Sequence, residues 1–187
     1  MPETNVNASN VSTGKPKIGG SVFRAPKGTT LPTDAVTALN EAFNSMGYIS
    51  EDGVSNDTSR ETQKIKAWGG DTVLEPLTDK SDRFTMTFIE GMRLEVLKAV
   101  HGDSNVTGDL DTGITVQENS SELGYFAWVV EMILSEGVLK RLVIPEAQIT
   151  SVAEVVYKDT DAIGYNSTLS ARPDSSGNTH YEYFKKP

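Results

Sequence analysis

His101 and His180 are the only histidines in the chain, and there is no cysteine. Thiolate nucleophiles, sulfur-bound zinc, iron–sulfur clusters and thiol switching are therefore absent, and any metal site would be built mostly from carboxylates. Neither histidine accompanies a serine in a Gly-x-Ser-x-Gly turn, so the sequence offers no recognisable nucleophile and base pair. The best ion candidate runs from Asp103 through Asn105, Thr107, Gly108 and Asp109 to Asp111. It places oxygen ligands around a glycine as a calcium loop does, but the position that needs a bidentate glutamate is Ile114, so it reads as a polar loop. Residues 12–15 (STGK) lack the preceding strand and following helix of a phosphate loop. Glu118 and Glu122 sit in a polar stretch with no apolar pocket to raise one carboxyl for acid–base work. Asn-x-Ser/Thr triplets, at Asn56 and Asn166 among others, mean little without a secretion signal. The expectation is a protein that is not an enzyme, with no cofactor and no metal.

The 187 residues suit one domain, with roughly 70% of the unfolded surface buried on folding and no need of a disulfide. Seventeen Lys and Arg against 26 Asp and Glu give a formal charge of −9, which disfavours binding to phosphate backbones or anionic membranes. The longest apolar runs, 126–130 and 132–134, fall far short of the ~20 residues that span a bilayer. No signal peptide is visible at the N-terminus, so synthesis and folding in the cytoplasm are expected.

Residues 1–20 are polar, with Val6, Val11 and Ile18 as the large apolar residues, and read as a flexible arm. It is either a frayed end or a strap that orders on a partner. Residues 21–187 form the domain. A strand is expected over 21–25, stopped by Pro26. A helix is predicted next, from an N-cap at Thr33 to Gly47, because Val36, Leu39, Phe43 and Met46 recur at helical spacing. The polar region of about 50–80 is expected to project as a hairpin, 60–68 pairing with 72–77 around Gly69 and Gly70. Phe84, Met86 and Phe88 alternate with Thr85 and Thr87, which predicts a half-buried strand. A short helix over 92–101, capped by Gly102, follows. Further strands are expected over 125–134, 138–144, 149–157, 165–171 and 180–184. The class is mainly β, an antiparallel meander or sandwich with one or two short helices. Trp68, at the tip of a polar hairpin, either folds back onto the domain or docks on a neighbouring chain.

Several runs of the sequence, taken in order, resemble a known family. They are residues 22–34 (VFRAPKGTTLPTD), 47–53 (GYISEDG), 65–71 (IKAWGGD), 84–90 (FTMTFIE) and 95–97 (EVL). Residues 144–145, 149–154, 165–168 and 172–174 continue the series. The chain from about residue 20 onward resembles the major tail tube protein of long, non-contractile (siphovirus-type) bacteriophage tails.

That resemblance implies a tail-tube β-sandwich or barrel that forms hexameric rings stacked into a hollow tube in the virion tail, assembled in the host cytoplasm. The implied partners are further copies of itself, the tape-measure protein and the tail-tip and tail-terminator proteins. DNA would pass through without specific binding, and no membrane is involved. Ring closure would satisfy strand edges that a lone β-domain leaves open. Six copies at −9 sum to about −54, and the share facing the lumen would repel phosphates. The arm, the hairpin and the C-terminal tail are candidates for contacts, with Val22, Phe23, Arg24, Trp68 and Asp71 as interface candidates. Strand alternation makes Thr85, Thr87, Asn166 and Thr168 candidates for the lumen wall, although the same polar faces could lie outside. The alternatives are a component of a secretion-type or tail-like tube, and a monomeric β-sandwich that binds carbohydrate or protein.

Overall fold

The computed structural model describes residues 6–187, so residues 1–5 of the expected arm lie outside the described residues. Among the described residues thirteen strands and one α-helix follow one another. The strands are β1 (Lys15–Pro16), β2 (Val22–Pro26), β3 (Asn44–Ser45), β4 (Ile49–Thr62), β5 (Ile65–Lys66), β6 (Thr72–Leu74) and β7 (Leu77–Phe88). After the helix α1 (Leu94–His101) come β8 (Val106–Asp109), β9 (Gly113–Val116), β10 (Phe126–Ile133), β11 (Leu139–Val152), β12 (Tyr165–Ala171) and β13 (Tyr181–Lys185). The protein is mainly β.

The main sheet is antiparallel in the order β3-β2-β10-β11-β12-β7-β4. β11 makes it fork: Leu139–Val143 pairs with β13, while Ala147–Val152 pairs with β12. β10 carries β2 on its outer side along Phe126–Val130 and the short β1 at Met132 and Ile133. β10 is buried on both faces, which explains its unbroken apolar run. Trp128 and Val130 face the main core with Phe84, Met86, Phe88, Val96, Ile144 and Leu169. Ala127 and Val129 face a smaller core with Ala25, Phe43 and Val143, against which Leu31, Leu39, Tyr181 and Tyr183 pack.

Helix α1 lays Val96, Leu97, Ala99 and Val100 on the main core. Glu95 in its first turn and Lys98 and His101 in its last suit the helix dipole, and Gly102 ends it at a φ of 98°. The expected helix over 33–47 does not form: the segment is irregular up to the short β3. Its apolar residues do not share a face, because Phe43 enters the small core, Met46 the main core, and Val36 stays exposed. Asp34 is instead a turn residue. Its carboxylate accepts the amides of Val36 (2.7 Å) and Thr37 (2.6 Å) and the Thr37 hydroxyl. The carbonyls of Asp34 and Thr37, which a helix would need for its own ladder, accept instead from Arg141 Nη1 at 2.8 and 2.9 Å. Arg141 is buried and its Nε also donates to Glu131 Oε1 (2.9 Å), its register partner on β10. Lys17 reaches the other oxygen of Glu131 at 2.9 Å.

Two further expectations change. Pro145 and Glu146 do not separate two strands: β11 runs through them, and Pro145 falls where the β10–β11 register shifts, a place a missing N–H is tolerated. The expected hairpin pairing is also shorter. Only Ile65 and Lys66 pair across to Leu74 and Thr72, whereas 60–62 pairs with Leu77–Lys80 of the much longer β7.

Candidate functional site

The polar face of the sheet is built by strand alternation. On β7 and β12, Phe84, Met86, Phe88, Tyr165 and Leu169 point into the core, so Thr85, Thr87, Asn166 and Thr168 share the opposite face. The register sets Thr85 against Thr168 and Thr87 against Asn166. The two threonine hydroxyls meet at 3.0 Å, and Asn166 Nδ2 donates to Thr87 Oγ1 at 2.8 Å. All four lumen candidates thus lie together on one surface. It continues across β4 at Ser55, opposite Thr85, and up the hairpin through the pairs Asp57/Arg83, Ser59/Ser81 and Glu61/Asp79. The surface is uncharged at the Thr85/Thr168 and Thr87/Asn166 pairs, carries the opposite charges of Asp57 and Arg83 next, and becomes acidic toward the tip.

The hairpin of β4 and β7 leaves the body beyond the Thr58/Asp82 pair, where the pairing of β7 with β12 ends, and continues into the small β5–β6 sheet. From Glu61 to Glu75 every side chain is exposed. Trp68 is fully exposed, so it does not fold back, and Ile65, Val73, Leu74 and Leu77 are exposed near it. A two-stranded ribbon without a covered face is marginal in water. Its cross-strand pairs make this worse: Glu61 opposes Asp79, and Arg60 opposes Lys80 on the other face. Like charges directly opposite repel.

A buried carboxylate anchors the root of this hairpin. Asp82 is completely buried and accepts from Asn56 Nδ2 (2.7 Å) and Thr58 Oγ1 (2.9 Å) on β4. It also accepts from Thr179 Oγ1 (2.7 Å) and contacts His180 Nδ1 in the segment before β13. Burial pushes its pKa up, but hydrogen bonds from Thr179, Asn56, His180 and Thr58 outweigh that and hold it below the ordinary carboxylate range. Thr37 and Val36 likewise hold Asp34 down, to about 2.

Val22 lies fully inside the main core, and Arg24 is only 5% exposed. Arg24 stacks its guanidinium on Phe126 at 3.7 Å and pairs with Asp103, while Phe23 is half-buried against the small core. Asp71 is exposed at the hairpin tip, beside Trp68. The tip residues and the β2 residues therefore do not form one patch. The 103–111 loop is used structurally: Asp103 holds Arg24, and Asp109 Oδ1 accepts the amide and hydroxyl of Thr112, both at 2.7 Å. His101 contacts Glu118, and His180 contacts Asp82.

Sequence reasoning missed Asp82 and the like-charge pairs. Nothing in the spacing marks them, because each exists only through the β4–β7 register.

The profile of a family described as phage tail tube protein matches residues 7–184. The chain belongs to the phage tail tube proteins. No curated protein matches it. Among solved structures, this tail tube protein is similar to the anti-feeding prophage cap, a tube-terminating cap determined by cryo-EM. The identity is 9% and the TM-score 0.49, over 99% of this chain and 100% of that one. The tail tube protein is a structural component of the tail, and its role is not enzymatic.

Proposed function

We propose that this tail tube protein assembles into hexameric rings that stack as a hollow conduit for the phage genome, in a long non-contractile tail. The observation that carries the reading is the hairpin: an apolar tip led by Trp68, on a ribbon bearing repelling charge pairs, gains stability only against other subunits. Trp68 and Asp71 are the subunit contacts. Thr85, Thr87, Asn166 and Thr168 line the lumen, where a hydroxyl and amide patch under a net negative subunit carries no cation of its own, and Arg83 beside it stands opposite Asp57. The tape-measure protein occupies the same lumen, and tail-tip and terminator proteins close the ends. Val22 and Arg24 act from within the subunit, by fixing β2 on β10.

Trp68→Ala tests the reading. The variant is expected to fold with unchanged secondary structure by circular dichroism, because the side chain touches nothing in its own subunit, and to lose tubes by electron microscopy. Tubes of normal yield from Trp68→Ala would contradict it.

A further inference from the structure

The main sheet does not close on itself. Its two ends face each other across a groove of roughly 980 Å³, lined on one bank by residues 14–21 and on the other by residues 47–54. Val130 and Met132 of β10 lie at its floor, and Ile49 and Val54 at its wall. Each bank carries a strand at the limit of the sheet. β1 is paired only to β10, and β4 between Ile49 and Val54 bulges away from β7. Ile18, 95% exposed, and Tyr48 stand at the rim. An apolar slot between open edges is a template for an added extended segment.

The banks are oppositely charged. Glu51 and Asp52 on the β4 bank and Lys15 on the strap enter no ion pair among the described residues. The hairpin tip carries the matching pattern: Lys64 and Lys66 on its β5 side, Asp71 and Glu75 on its β6 side, around Trp68 and Ile65. We propose that the groove receives the hairpin tip of a second copy, with β5 along the Glu51–Asp52 bank, β6 along Lys15, and Trp68 over Met132. This rests on the reading that the chain self-assembles, and it names the receiving surface. Knob and slot lie on different parts of one subunit, so the contact is heterologous and propagates from copy to copy.

The cysteine-free chain allows a direct test. Ala67→Cys is combined in one chain with Ser50→Cys in the groove, or with Ser175→Cys in an exposed turn as the control. Mild oxidation of assembled protein is expected to give a covalent ladder with the Ser50 pair and none with the Ser175 pair. Separately, Lys64→Glu with Lys66→Glu is expected to lower tube yield at least ~10-fold, and adding Glu51→Lys with Asp52→Lys to restore most of it. Tubes without a Ser50 ladder, or no rescue by the charge swap, would overturn the groove as receiver and leave self-assembly standing. No tubes from the unmodified protein at any concentration, with tail-tip components added, would overturn both.

Discussion

Arg141→Met keeps the length and apolar stem of the side chain and removes its guanidinium from a buried site. Glu131 loses the donor on its Oε1, and the carbonyls of Asp34 and Thr37 lose theirs. Taking one partner from a buried ion pair costs about 3–5 kcal/mol. Lys17 still reaches Glu131 at 2.9 Å, which offsets part of the loss, while the two stranded carbonyls add to it. The expected loss is about 4 kcal/mol, a large share of the ~5–15 kcal/mol that stabilises a domain. At an m-value of about 2 kcal/mol per M, the urea midpoint should fall by about 2 M, measured below the assembly concentration. Hydrogen exchange should accelerate first in residues 34–43, which Arg141 ties to β11. The double variant Glu131→Leu with Arg141→Met should recover much of the loss, since it leaves no buried charge unpaired. A single-variant loss under about 1 kcal/mol, or a double variant no better than the single, would refute the reasoning.

Asp82→Asn should loosen the hairpin root by about 2 kcal/mol, because hydrogen bonds to a charged acceptor are the stronger ones. The carboxyl is held below its unfolded value, so its stabilisation is present above the ordinary carboxylate range and fades as pH falls through the lowered folded value. Acid titration should therefore release residues 56–58 and 179–180 in the wild type, and the variant should lack that step; an identical acid profile would count against the anchor. Gly108→Ala should destabilise the β8–β9 hairpin by about 1–3 kcal/mol. Its φ is 87°, and a Cβ would lie 2.0 Å from the carbonyl oxygen of Gly113; an unchanged melting temperature would show that the turn relaxes freely. Thr85→Lys with Thr168→Lys should leave tubes intact but make them retain DNA in a salt-dependent way, and tubes that release DNA as the wild type does would remove this face from the lumen.

The parts of the fold that were legible in the sequence are those whose residues answer to their own neighbours. The alternation of Phe84, Met86 and Phe88 marks β7, and Gly102 after the apolar stripe of Val96, Ala99 and Val100 marks the end of α1. The 33–47 segment was misread because its spacing suits a helix, whereas the deciding contacts come from Arg141, more than a hundred residues away. Most of β4 escapes the sequence reading, which places only 60–62 in a hairpin strand, because β4 is polar on both faces toward the tip, with no apolar period to reveal it. Of the candidate site, the polar quartet was legible as two alternating faces, but only the β7–β12 register shows that they are one surface. Trp68 was legible as an oddity, and the structure leaves it fully exposed at the hairpin tip.

The most direct test of the account is electron microscopy of the purified protein over a concentration series, with tail-tip components added as initiator. Six-fold rings stacked into hollow tubes, with the hairpin of each subunit resting on a neighbour, are the predicted result. A protein that stays monomeric throughout, or closes into assemblies without a lumen, would contradict the tube.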